Sequence, residues 1–309
     1  MSTTERREGQ GKAQIIRQPR LNLAVGPNCP VRCEGCYNSF GDTFSTGGLV
    51  TLDEITDFAA EVGSRGIDGV TLSGGDPLFH PEIVDIVNAL HDIAYRVKID
   101  TVGTSLLEDS MIIFKGRGLT PRVDIDAIKD SVESITLPLD GVDQGTIEYF
   151  RRGRKNIFEE TKAIAHLLTE AGVKFGFNTV VHAKNSDQVK EIGDLALSLG
   201  AFEWHVFEYD TTGPNPSRQK EVLRIDYEDF EAATQNLGQM ALDGMRLDLR
   251  NRDSRTGAGA YFFVNDAGEA WSPESEGIPV RYGHITRDRD QVLASYDEYL
   301  ENFRRKFND

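Results

Sequence analysis

The sequence predicts an α/β fold: a partial (β/α)6 barrel of parallel strands followed by a C-terminal α+β cap. Three observations lead there. Six short apolar runs recur between residue 21 and about residue 209, amphipathic segments with helix-start and helix-stop signals lie between them, and the rhythm changes after residue 214. Apolar runs of strand length alternating with helical segments mark repeated strand-helix units, whose strands pair in parallel. Six units are too few to close an eight-stranded barrel, so an open one is expected.

In chain order, residues 1–19 lack periodicity and read as a flexible tail, 20–213 as the barrel and 214–309 as the cap. The strand candidates are Leu21 to Val25, Gly69 to Ser73, Val97 to Thr101, Ser134 to Leu139, Lys174 to Val181 and Trp204 to Tyr209. Thr51-Leu-Asp-Glu54 is a capping box that opens a helix to about Ser64, and Pro81 starts one running to His91. A long helix is expected from Ile147 to Glu170, stopped by Gly172, and another from Ser186 to Leu199, stopped by Gly200. Residues 107–121 exceed an ordinary connection and read as a lid or an insertion. Beyond Pro214 to Arg218 come a helix near Tyr227 to Leu242, a strand at Met245 to Leu249, a hairpin pairing Ala260 to Val264 with Glu269 to Trp271, and a final helix near Gln291 to Phe307.

Composition excludes several classes. The formal net charge is -16, which argues against nucleic acid as a bulk partner, because phosphate neutralisation needs clustered Lys and Arg. No apolar run approaches the roughly 18 residues that a membrane span requires, and the polar N-terminus has no signal-peptide core, so a cytoplasmic protein is expected. The six histidines show no paired ligand spacing, and no Ser-His-Asp set, Walker loop or zinc-hydrolase motif is present.

All three cysteines fall in Cys29-Pro-Val-Arg-Cys33-Glu-Gly-Cys36. An odd triplet this tight is no disulfide framework; it reads as the ligands of one metal centre with a position left open. Thiolates select zinc, copper(I) or iron-sulfur clusters, and a structural zinc would want a second cysteine pair. The spacing resembles the cluster motif of the radical S-adenosylmethionine (SAM) superfamily, whose core is a partial TIM-like barrel. The resemblance implies a [4Fe-4S] cluster on Cys29, Cys33 and Cys36, with SAM at its fourth iron. It further implies reductive cleavage of SAM to methionine and a 5'-deoxyadenosyl radical that takes a hydrogen atom from the substrate.

Ligands of parallel α/β structures bind at the carboxyl ends of the strands, where further motifs fall. Ser73-Gly74-Gly75-Asp76-Pro77 is similar to the family's Gly-Gly-Glu-Pro turn, with Asp in place of Glu, which receives the SAM amino group. Thr104 and Ser105 lie near the family's Thr-Asn-Gly turn. Asp140, Arg152 after the fourth strand, Asn178 on the fifth and Val206 on the sixth resemble viperin-like and molybdenum-cofactor-cyclase-like members, which implies Arg152 for the SAM carboxylate. Gly35 and Tyr37 flank the last cysteine at the expected adenine contact, and Tyr37 also resembles glycyl-radical activases.

With no fourth cysteine, an auxiliary cluster is not expected. The substrate expected is a small anionic metabolite such as a nucleotide or sugar derivative, met by Arg151, Arg154, Lys155, Arg250 and Arg252, with flavodoxin or ferredoxin as electron donor. The alternatives are a glycyl-radical enzyme activase and a non-catalytic iron-sulfur or zinc protein.

Overall fold

The computed structural model describes residues 17–36, 49–210, 220–273 and 279–307. Each of the six apolar runs forms a strand: β1 (Leu21–Ala24), β2 (Gly69–Ser73), β3 (Arg96–Asp100), β4 (Val132–Pro138), β5 (Phe175–Val181) and β6 (Glu203–Glu208). The C-terminal third adds β7 (Arg246–Arg250), β8 (Phe263–Val264), β9 (Glu269–Ser272) and β10 (Val280–His284). They make one sheet in the order β7-β6-β5-β4-β3-β2-β1-β8-β9-β10. Pairing is parallel from β7 through β8 and antiparallel at the β8-β9-β10 end. The fold is thus α/β with a partial-barrel sheet, and the C-terminal strands prolong that sheet at both edges.

Helices α1 (Leu52–Gly63), α2 (Ile83–Asp92), α3 (Gln144–Phe150), α4 (Ile157–Glu170) and α5 (Val189–Ser198) connect the barrel strands. The capping box at α1 forms in full, Thr51 and Glu54 each satisfying the other's backbone N–H. Phe58, Ile86, Leu90, Ile164, Leu168 and Ile192 on these helices join Val70, Leu72, Val97, Ile99, Ile135, Phe177, Trp204 and Val206 on the strands in one core. Burying each such side chain contributes roughly 1.5–3 kcal/mol.

Two expectations are corrected. The single helix expected over Ile147 to Glu170 is broken into α3 and α4. Between them Arg151–Arg152 is extended and pairs with Arg32–Cys33, and Gly153 takes a φ of +96°, a left-handed conformation that ends the strand. The helix expected near Tyr227 to Leu242 is likewise two, Tyr227–Thr234 and Gly238–Leu242. Residues 107–121 form a hairpin, Ser110–Met111 with Leu119–Thr120. Of the tail expected over 1–19, residues 1–16 lie outside the described residues, as does the turn at Pro214 to Arg218; Arg17 is anchored, donating to Asp248 at 2.8 Å.

The gap between β7 and β8, the two ends of the parallel part of the sheet, is bridged by side chains and by the final helix, α6 (Arg289–Phe307) when numbered after the barrel helices. Arg250 donates to the Tyr261 hydroxyl at 3.0 Å, and Lys306 on the helix donates to the Asp253 and Thr256 carbonyls at 2.8 and 2.7 Å. Tyr296 and Tyr299 pack on Phe262, with ring centroids 4.9 and 5.8 Å away.

His182, just past β5, is fully buried. Burial, with the Arg151 and Lys184 cations nearby, pushes its pKa down to about 3. The native state then binds fewer protons than the unfolded chain below pH 6.5, so stability falls as pH drops from 6.5 toward 3. At about 1.4 kcal/mol per unit the full loss is on the order of 5 kcal/mol. Asp76 works in the opposite direction, because burial raises its pKa to about 6 and its ionisation costs stability as pH rises. The comparison that isolates the histidine is wild type against His182→Gln. Urea midpoints measured from pH 7 to 4 should show a shallower acid decline in the variant; equal slopes would refute the assignment.

Candidate active site

The strands alternate strictly enough to sort their side chains. On β3, Val97 and Ile99 enter the core while Arg96, Lys98 and Asp100 face the barrel interior; on β6, Trp204 and Val206 enter the core while Glu203, His205 and Phe207 face inward. Thr71 and Ser73 on β2, Ser134 and Thr136 on β4, Asn178 on β5, and Asp248 and Arg250 on β7 complete an interior that is polar at nearly every layer. Closed barrels of this architecture are filled with branched apolar side chains. Here the interior encloses a cavity of about 600 Å³.

Cys29, Cys33, Cys36 and Gly35 line its upper end, at the carboxyl ends of the strands, with Ser73, Gly74, Gly75, Thr101 and Val102. The cysteine loop is held from three sides. Cys29 exchanges backbone bonds with Phe114 at the hairpin tip (Cys29 N to Phe114 O, 3.2 Å; Phe114 N to Cys29 O, 3.0 Å), which places the Phe114 ring on the cavity. Gly75 N donates to Gly26 O and Asp76 N to Asn28 O, each at 2.7 Å. A Cβ on Gly74 would come within 2.5 Å of Gly26 O, and one on Gly75 would overlap the carbonyls of Pro27 and Asn28. The paired glycines therefore let the β2 turn lie directly against the chain that leads to Cys29.

The third support is Arg32–Cys33 against Arg151–Arg152. Arg151 Nη1 donates to Cys33 Sγ at 3.2 Å, and its Nε is bound by the carboxylate of Asp140. Asp140 is fully buried and accepts from Val180 N at 2.7 Å. Burial pushes the Cys33 thiol up to about 12, partly offset by the Arg151 cation, and burial beside Asp76 drives Cys29 well above the ordinary thiol range. The thiols are protonated until a cation compensates them.

The site residues expected from sequence divide. Cys29, Cys33, Cys36, Gly35, Gly74, Gly75 and Asn178 line the cavity. Asp76 is turned away: its carboxylate caps Leu78 N at 3.1 Å and accepts from Thr101 Oγ1 at 2.5 Å and Val102 N at 2.9 Å, tying the β2 turn to the end of β3. Pro77 starts the buried turn behind it. Thr104 bonds Ser110 at 2.7 Å, and Ser105 is buried among core groups, because the chain has turned inward after Gly103. Arg152 pairs with Glu34 at 3.2 Å, and its neighbour Arg151 faces the cavity instead, since successive residues of an extended pair point to opposite sides. Val206 faces the core for the same reason, and Asp140 acts through Arg151. Arg154 is held by Glu160 and Glu108, and Arg252 by Glu208. Tyr37 lies outside the described residues.

Deeper in, a charged network spans three strands. Lys98 is paired with Glu203 and lies 2.9 Å from His205 Nε2; His205 Nδ1 is 3.3 Å from Asp248, which also accepts from Arg250 at 2.6 Å. Burial opposes the charge on Asp248, yet Arg250, His205 and Arg17 hold its carboxyl below the ordinary range. Of these groups sequence reading singled out Arg250 and missed Lys98, Glu203, His205 and Asp248, along with Phe114, Tyr209 and Arg255. A period-two pattern of polar residues inside the apolar runs was the available signal.

Among the described residues no three Cys, His, Asp or Glu side chains converge as ligands of one ion would. The profile of the Radical SAM superfamily matches residues 23–196, more than half of the chain. The chain belongs to the radical SAM superfamily and is an enzyme of that family, with a [4Fe-4S] cluster and SAM as its cofactors. It is 32% identical over 217 residues to the AdoMet-dependent heme synthase of Methanosarcina barkeri, an alignment covering 69% of this chain and 57% of that protein. It is 27% identical over 225 residues to the PqqA peptide cyclase of Rhizobium meliloti, covering 72% and 56%. The chain thus spans a little over half the length of these curated relatives. Native anSMEcpe with bound AdoMet and Kp18Cys peptide shares the fold at a TM-score of 0.65 and 14% identity, covering 92% of this chain and 82% of that one.

Proposed function

We propose that Cys29, Cys33 and Cys36 hold the cluster, that SAM lies between them and the Gly74-Gly75 turn, and that a small anionic metabolite fills the rest of the cavity. The observation that carries this reading is that the three thiols and the paired glycines line one end of a cavity whose side wall carries Arg250 and Arg255. When bound, the cluster and SAM supply a 5'-deoxyadenosyl radical that removes a hydrogen atom from the substrate. The chain's own share is to hold and shield. Arg151 sets a positive charge against Cys33, the backbone of the β2 turn and Gly35 bound the SAM pocket, and Phe114 with Tyr209 keeps water from its upper end.

Arg151, which touches Cys33, and Asn178 line the same cavity and are assigned to the carboxylate and ribose of SAM. Electrons come from a small reduced carrier such as flavodoxin or ferredoxin, in a reducing compartment; no described helix is long and apolar enough to cross a membrane. The relative named a peptide cyclase and the peptide-bound structural neighbour favour a second reading, in which the anion is an acidic peptide segment.

The test is anaerobic reconstitution followed by dithionite reduction with SAM, quantifying 5'-deoxyadenosine alone and with panels of nucleotides, carboxylated metabolites and acidic peptides. A rise of about tenfold or more with a small anion is expected. A rise confined to peptides would replace the first reading with the second, and no SAM cleavage at all would remove both.

A further inference from the structure

Resting on the reading just given, we propose that Arg255 receives a carboxylate of the substrate while the planar group next to that carboxylate lies along the aromatic wall formed by Phe207, Tyr261, Phe263 and Trp271. Arg255 ends the single-turn helix Arg252–Arg255, fixed at its start by Asn251 accepting from Ser254 N at 2.9 Å. Its guanidinium lines the cavity, donates from Nη2 to the Glu208 carbonyl, and has a buried Nε with no hydrogen-bond partner. Among the described residues it makes no ion pair within 4 Å; Glu208 and Asp210 act on it through space, and Glu208 and Asp248 are each bound by another arginine. Glu208 is taken by Arg252, at 2.6 Å to Nε and 2.9 Å to the backbone N, and Asp248 by Arg250 and Arg17 at 2.6 and 2.8 Å.

The unpartnered Nε of this half-buried guanidinium is a donor left over for a group in the cavity, and the donors of a guanidinium fork match the two oxygens of a carboxylate. The wall beside it is aromatic. Arg250 and Arg255 sit 5.2 and 5.9 Å from the Phe207 ring centroid; Tyr261 and Phe263 are nearly parallel at 5.2 Å and 24°, as are Phe263 and Trp271 at 4.8 Å and 26°. Such a surface favours a conjugated or aromatic group over an aliphatic one. It also stands beside the chemistry, since a Cβ on Gly35 of the cysteine loop would be 3.4 Å from Asp210 O, two residues beyond the carbonyl that Arg255 holds.

The probe is phenylacetate, titrated against reconstituted protein while tryptophan fluorescence is followed. Of the two tryptophans, Trp204 is sealed in the core with Nε1 on Thr179, so a change reports Trp271. A saturable change is expected, with an apparent Kd at least tenfold higher in Arg255→Gln and intermediate in Arg255→Lys, while neutral phenylacetamide binds both proteins alike. Equal phenylacetate affinity in wild type and Arg255→Gln, or no saturable change, overturns the proposal. So does displacement of phenylacetate by saturating SAM, which would give Arg255 to the cofactor, and so does preference for phenyl phosphate. SAM cleavage by the reconstituted wild type is measured alongside: if it is absent the underlying reading fails, and if it is present with Arg255→Gln binding the probe normally, the carboxylate subsite alone fails.

Discussion

Replacing Cys33 with alanine is expected to abolish cluster loading and reductive SAM cleavage while leaving the fold nearly as stable as before. Cys33 is the best of the three cysteines for this test. Cys29 sits in a small apolar cluster with Val31, Val102, Ile147 and Ile157, so its truncation leaves a hole, whereas Cys33 is only partly buried at the rim. Its sulfur has a single described side-chain donor, Arg151, which keeps its own pairing to Asp140 when the sulfur is gone. The expected cost in stability is about 1 kcal/mol or less. Iron content, visible absorbance and 5'-deoxyadenosine formation should all vanish together, with the urea midpoint close to wild type. A Cys33→Ala protein that still loads iron and cleaves SAM would remove Cys33 from the ligand set.

Legibility of the sequence differed between the parts of the molecule for physical reasons. The six barrel strands were readable because their helix-facing residues are apolar runs, and α1, α2 and α5 because a capping box opens the first, Pro81 precedes the second and Gly200 follows the third. The interior of the same strands was not readable. Arg96 and Glu203 stand at the first position of β3 and β6, where an apolar-run criterion starts one residue late and drops the charge that enters the cavity. Arg151 was passed over for Arg152 because register decides which of two adjacent arginines faces inward, and the register comes from pairing with Arg32–Cys33, more than a hundred residues earlier. Asp76 shows the converse. Motif similarity placed it on the cofactor, but a carboxylate one methylene shorter than Glu, followed by Pro77, caps the turn behind it. The cysteine triplet stood out in the sequence because an odd, tightly spaced set of thiols is no disulfide framework, and the fold brings all three to one cavity.

The second large effect is expected at Asp140, which touches no cavity surface yet governs the cysteine loop through Arg151. Asp140→Ala removes the counter-charge of a guanidinium buried beside Cys33 and leaves Val180 N without its acceptor. Breaking a buried pair in this way costs about 3–5 kcal/mol, because the surviving charge stays desolvated. Replacing both partners with apolar residues of similar volume is often neutral, so Asp140→Ala with Arg151→Met should regain most of that loss. Stability and cofactor retention then separate. The double variant still lacks the cation 3.2 Å from Cys33 Sγ, and the thiol that burial already holds near 12 loses the group that pulls it back. Urea midpoints and iron retained under a chelator are the two measurements. The single variant should fall in both, and the double variant should recover the first while losing cluster at least tenfold faster than wild type, the order expected when a group that orients a metal ligand is removed. Recovery of both by the double variant would make Arg151 a packing residue and strip the Asp140-Arg151-Cys33 chain of its role in the site.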